Sequence, residues 1–177
     1  MLFRSPSCRL TTARPANPAA AYLASPSERV SPAILGLSTW ADYTLTLRWT
    51  VESDQGTRLA LTFRQTEPRP GVFTYYYVAV DRDRLVLGRR EADHGDELAM
   101  GRYPELLRPG DHQLLVTAAG SNLGVALGGN EPLQANDNAL TQGNIGLATS
   151  DTRVPIGELS ILLPATWPRA ETKTPHP

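Results

Sequence analysis

Residues 41–52, ADYTLTLRWTVE, decide the fold. Tyr43, Leu45, Leu47, Trp49 and Val51 fall on one side of a two-residue alternation, and Thr44, Thr46, Arg48 and Thr50 fall on the other. Successive side chains of a strand point to opposite faces, so this stretch has one apolar and one polar face. Helical spacing would scatter the same apolar side chains around the whole circumference. A second stretch, TRLALTFRQ (57–65), repeats the pattern with Leu59, Leu61 and Phe63 set against Ala60, Thr62 and Arg64. The link SDQG between the two reads as a hairpin-type turn.

Outward from this pair the chain continues in strands. VFTYYYVAVD (72–81) is apolar or aromatic on both faces, which predicts a central strand in which at least one of Tyr75, Tyr76 and Tyr77 faces opposite to its neighbours. RLVLGRR (84–90), DHQLLVTAAG (111–120), NLGVALGG (122–129), NIGLAT (144–149) and IGELSILL (156–163) complete the set, separated by the turn clusters PRPG, RPGD, GSN, GGNEP and QGN. The best helical candidate is GDELAMGRYPELL (95–107), which Gly101 and Pro104 limit to about a turn or two. About nine strands without a real helix predict an all-β fold, an antiparallel two-sheet β-sandwich of jelly-roll type over residues 32–163.

The chain has 177 residues, enough for one domain with a sizeable core. Its net charge of −1 excludes a nucleic-acid binder driven by bulk charge, and no apolar run is long enough for a transmembrane helix, so no membrane insertion is expected. A single cysteine, Cys8, precludes an internal disulfide and reads as a free, exposed thiol. His94, His112 and His176 show no metal-ligand spacing, so no metal site is expected. Residues 1–31, interrupted by Pro6, Pro15, Pro18 and Pro26, read as a disordered or linker arm without a clear signal peptide. Residues 164–177, PATWPRAETKTPHP, read as a disordered tail in which Trp167 either packs back or stays exposed.

The order of segments resembles the concanavalin A-like lectin/glucanase superfamily, and within it the laminin-G-like and three-keto-disaccharide hydrolase-like sandwich domains. The resemblance runs over about residues 34–163. It rests on Trp40-x-Asp42-Tyr43-Thr44-Leu45, Phe63-Arg64, the Tyr-rich strand ending at Asp81, PELLRPGDHQLLV, GNIGLATSD (143–151) and the closing IGELSI; the G-x-IG-L of Gly143 to Leu147 is its best element. It implies a recognition module for a glycan or a protein partner, in an extracellular or cell-surface setting. Many such domains hold a structural calcium through an Asp of the closing strand. Here that position reads Gly157-Glu158, and Leu127-Gly128-Gly129 stands where Leu-Asp-Gly is usual, so no cofactor is expected, and a structural calcium held through Glu158 stands as the alternative. The resemblance implies that His112 is a structural ring packed near the sheet edge, with ligand binding as the alternative.

Glycan-hydrolysing relatives carry alternating carboxylates on one strand face. The nearest stretch, EADHGDE (91–97), alternates at Glu91 and Asp93, but Gly95 takes the next position on that face, so no catalytic residue is assigned. A small glycan-active hydrolase stands as the alternative reading. Sugar binding needs exposed aromatic rings beside planar polar groups, and the polar strand faces supply Thr44, Thr46, Thr50 and Thr62, with Arg90 on a rim. The ligand-binding candidates are Arg48, Arg64, Tyr75, Tyr77, Arg89 and Tyr103. Threonine and arginine are also the ordinary outward residues of a sheet, so the same pattern fits a protein-contact face.

Overall fold

A computed structural model describes residues 8–10, 33–52, 58–92, 94–149 and 154–164. It contains two six-stranded antiparallel sheets. The first sheet runs, edge to edge, β1 (Cys8–Leu10), β12 (Ile156–Leu162), β3 (Tyr43–Val51), β8 (Gly110–Ala119), β9 (Asn122–Leu127) and β10 (Leu133–Asn136). The second runs β2 (Ala33–Leu35), β11 (Asn144–Thr149), β4 (Arg58–Arg69), β5 (Val72–Asp81), β6 (Arg84–Glu91) and β7 (His94–Arg102). The fold is a β-sandwich, as the alternation predicts.

The alternating residues meet in the middle. Tyr43, Leu45, Leu47, Trp49 and Val51 of β3 are all buried, and so are Leu59, Leu61 and Phe63 of β4. Tyr76, Val78 and Val80 of β5, Leu85 and Leu87 of β6, and Leu114, Val116, Leu123 and Val125 of β8 and β9 join them in one core. His112 packs as expected: its ring stacks on Trp49 with centroids 5.5 Å apart, and its Nε2 lies 2.9 Å from the Arg108 carbonyl oxygen.

Three expectations are corrected. The stretches 41–52 and 57–65 do not form a hairpin. β3 pairs with β12 and β8, whereas β4 pairs with β11 and β5, so the chain crosses from one sheet to the other between them. Each strand has an apolar face that needs a facing layer, and placing them in opposite sheets lets those faces cover each other. The helical candidate 95–107 is instead strand β7 followed by a 3-10 turn, Pro104–Leu107. Pairing with β6 takes up the backbone groups on one side of residues 94–102 and holds them extended, and only Pro104, suited to a first turn, opens a helical segment. Within the arm read over 1–31, residues 8–10 pair with β12; the rest of that arm, and the tail beyond residue 164, lie outside the described residues.

The third correction concerns Arg64. Placed on the polar outer face by alternation, it is 1% exposed. The pairing of β4 with β5 and with β11 is interrupted after Phe63, a β-bulge, and Arg64 lies in it at φ 48°. The bulge breaks the two-residue parity and turns the guanidinium into the end of the sandwich. There Nε donates to the Ala41 carbonyl at 3.0 Å, and Nη1 donates to those of Gly120 at 2.7 Å and Leu140 at 3.0 Å. Nη2 reaches the Asp42 carboxylate at 3.3 Å, and the Arg64 amide donates to the Tyr43 hydroxyl. Gly143 is pressed against this bulge: a Cβ there would come within 2.4 Å of the Arg64 carbonyl carbon and 2.5 Å of Gln65 O, at a φ of 154°. The leading glycine of G-x-IG-L therefore has a steric cause.

Leu61, 1% exposed, lies between the sheets, so Leu61→Ala is expected to lower stability by ~2–5 kcal/mol in a urea titration; a loss below ~0.5 kcal/mol contradicts this register. Arg64→Met removes the donors from three part-buried carbonyls and is expected to cost about 3 kcal/mol. Arg64→Lys recovers only part of that loss, because an ammonium cannot replace the planar fork. A lysine variant as stable as the native chain overturns the clamp.

Candidate functional site

β5 sorts its side chains by parity. Thr74, Tyr76, Val78 and Val80 are buried between the sheets, while Phe73, Tyr75, Tyr77 and Ala79 stand half-buried on the outer face of the second sheet. The rings of Tyr75 and Tyr77 meet edge to face with centroids 6.5 Å apart. On β6, Arg90 is opposite Tyr75 and Gly88 is opposite Tyr77. A Cβ at Gly88 would strike the Tyr77 ring at 2.4 Å, so that ring lies down over the glycine and is held there. On β7, Gly95 is opposite Arg90 and Glu97 is opposite Gly88. A Cβ at Gly95 would meet nothing nearer than 3.9 Å, so bare backbone forms an open shelf beside Arg90.

The electrostatics of this face are mixed. Burial raises the pKa of both tyrosine hydroxyls, with Arg90 opposing the rise at each and Glu97 adding to it at Tyr77. Both hydroxyls therefore stay protonated at neutral pH and can donate as well as accept. The chemistry available is stacking on aromatic rings, hydroxyl hydrogen bonds and one guanidinium.

The six candidate residues do not form one site. Tyr75 and Tyr77 come together as described. Arg48 lies on the outer face of the opposite sheet, where its Nε donates to Gln113 Oε1 at 3.1 Å and its Nη1 is 3.8 Å from Glu158. Arg64 is consumed by the clamp. Arg89 has the parity of Tyr76 and turns toward the mouth of the core, where it bonds Asp137 and Asp96, each at 2.8 Å. Tyr103 packs at the core's margin, against Gly101 and near Leu133, away from the tyrosine pair. The parity of 73, 75 and 77 carries Phe73 into the face, a signal that the sequence does contain. The roles of Gly88 and Gly95 depend on strand register across β6 and β7, which no local pattern specifies.

The first sheet offers a different surface. Its outer face over β8, β9 and β10 holds a depression of about 540 Å³. Thr117, Asn122, Gly124, Ala126, Gln134 and Asn136 are among its lining residues; the lining contains no aromatic ring and no charge. Of the carboxylates in EADHGDE, Asp93 lies outside the described residues. Asp96 and Glu97 are adjacent on β7 and are bound to different partners, Asp96 to Arg89 and His94 and Glu97 to Arg84. Among the described residues no three His, Cys, Asp or Glu side chains gather as a metal site.

Asp137 anchors the loop beside the tyrosine-bearing strand. Its Oδ1 accepts from the Tyr76 hydroxyl at 2.5 Å and the Ala139 amide at 2.8 Å, and its Oδ2 accepts from Arg89 at 2.8 Å. Burial would raise its pKa, but the Tyr76 and Ala139 hydrogen bonds and Arg89 outweigh this and hold the carboxyl below its ordinary value of 3.8. Burial and the bond to Asp137 push Tyr76 up to about 12. A depressed carboxylate contributes stability above its unfolded pKa, and that contribution disappears as pH falls through the folded value. Asp137→Asn is thus expected to cost ~1–3 kcal/mol at pH 7, with the difference from the native chain shrinking below about pH 4. Paired urea titrations at several pH values check this, and a pH-independent difference contradicts it.

No family profile and no curated protein matches the sequence. Solved structures do match the fold. A carbohydrate-binding module, CBM66, from Bacillus subtilis superposes with a TM-score of 0.55 at 18% identity, covering 70% of this chain and 76% of the other. Sheep galectin-11, in complex with glycerol, gives 0.55 at 12% identity over 75% of this chain and 98% of its own. A Bacillus subtilis protein of unknown function with a galectin-like fold gives 0.57 at 11% identity, covering 73% and 75%. At these identities the likeness establishes a shared architecture, the two-sheet β-sandwich.

Proposed function

We propose that this chain is a non-catalytic recognition module of the concanavalin A-like class, and that it takes a glycan on the outer face of the second sheet. The observation that carries the reading is the Tyr75–Tyr77 pair, two half-buried rings set edge to face on a central strand. The apolar faces of pyranose rings stack on such aromatics, and the neutral hydroxyls beside them can exchange hydrogen bonds with sugar hydroxyls. A site on a paired strand loses little conformational entropy on binding. Support also comes from solved structures of this fold that are named as a carbohydrate-binding module and as galectins. An extracellular or cell-surface setting belongs to the same proposal.

A glycan-array screen of the full chain tests it, run with calcium present. Saturable binding to a related set of glycans is expected. Tyr75→Ala should weaken it about five- to thirtyfold, the range of a small interface hot spot. A blank array on a sample with an intact β-sheet circular dichroism spectrum overturns the reading and directs the search to a protein partner.

A further inference from the structure

We infer that the glycan taken by the tyrosine face bears an acidic group, a carboxylate or a sulfate, bound by Arg90; this rests on the glycan-binding reading above. Among the described residues, Glu97, Asp96 and Arg89 around the face each have a charged partner. Glu97 is 3.6 Å from Arg84. Asp96 is held by Arg89 at 2.8 Å and by His94 at 3.1 Å, and Arg89 in turn bonds Asp137. Arg90 differs. Its Nε donates to the Ala92 carbonyl at 3.0 Å, which fixes the plane of the guanidinium, while Nη1 and Nη2 have no hydrogen-bond or ion-pair partner among the described residues.

The position of this unmatched fork suits a ligand. Tyr75 stands opposite it on one side, and on the other is Gly95, where the space above the backbone is open. A sugar stacked on Tyr75 can therefore extend over the glycine shelf and bring an equatorial substituent to Arg90. Carboxylates and sulfates can each meet a guanidinium with two hydrogen bonds from paired oxygens, stronger than any bond it makes to a neutral hydroxyl. A neutral glycan leaves the fork in water and gains nothing from its charge. The alternative surface, over β8 to β10, has amide groups and no cation and gives an acidic sugar no advantage.

The test measures affinity for three probe sets by calorimetry: tri-galacturonate, a sulfated galactose trisaccharide, and neutral galactose oligomers, with the full chain and with Arg90→Gln and Tyr75→Ala. Expected is an acidic probe bound about tenfold or more tighter than the neutral ones, a preference that falls as salt rises and is lost in Arg90→Gln. Whether tri-galacturonate or the sulfated probe carries it separates carboxylate from sulfate. Tyr75→Ala should weaken acidic and neutral probes alike. Neutral oligomers bound as tightly as acidic ones, equally by the native chain and Arg90→Gln, overturn the acidic preference and leave glycan binding standing. Binding of no probe set, on folded protein and with a blank array, overturns both.

Discussion

One buried guanidinium bolts the two sheets together. Arg64 belongs to β4 of the second sheet, yet its carbonyl partners are Ala41, just before β3 of the first sheet, Gly120, in the turn between β8 and β9, and Leu140, ahead of β11. The left-handed backbone at φ 48° is unfavourable for a residue with a Cβ by ~1–2 kcal/mol, and a buried cation is costly unless it is solvated by fixed dipoles. Here three carbonyls replace the water and Asp42 supplies the counter-charge. Arg64 thus ties three loops together at this end of the sandwich, alongside the bond from the Gly143 amide to the Trp40 carbonyl and that from the Leu140 amide to the Tyr76 hydroxyl. Asp42 closes the loop by also accepting from the Gly120 amide at 2.9 Å.

That arrangement divides the arginines by role. Arg64 and Arg89 are committed to cross-layer bonds, the first at the bulge and the second to Asp137 in the loop before β11. Tyr76 shares that second anchor and also packs on Phe63, with ring centroids 5.4 Å apart. The strand that carries Tyr75 and Tyr77 is thereby held from its inner side at Tyr76, between the two outward rings. A face proposed for recognition needs rigidity beneath it, because each side chain ordered only on binding subtracts from affinity. The inner network supplies that rigidity without occupying the outer face.

Much of this was legible in the residues. The alternation of Tyr43 to Val51 sets the buried face of β3, and every apolar member is buried. The double-sided apolarity of 72–81 places β5 in the interior of a sheet, between β4 and β6. What local pattern does not contain is which strands pair. SDQG looks like a hairpin because turn chemistry is local, whereas the crossing from β3 to β4 is a property of two sheets needing each other's apolar faces. Arg64 was illegible for a related reason. A bulge shifts parity by one residue, and nothing in LTFRQ announces it; its signal lies eighty residues downstream, in the glycine of G-x-IG-L that must fit against it.

The same limit explains why the candidate residues scatter. Parity alone groups Arg48, Arg64 and Tyr75 as outward, but outward on one sheet is the opposite surface from outward on the other. Once β3 and β4 are assigned to different sheets, Arg48 separates from the tyrosines, and the bulge removes Arg64 to the interior. The residues that remain beside Tyr75 and Tyr77 are Gly88, Arg90 and Gly95, set there by register across β6 and β7. Two of these three are glycines, which contribute by leaving room. Half-buried rings, open backbone and a fork whose Nη atoms have no partner among the described residues are the parts on which the glycan proposal rests.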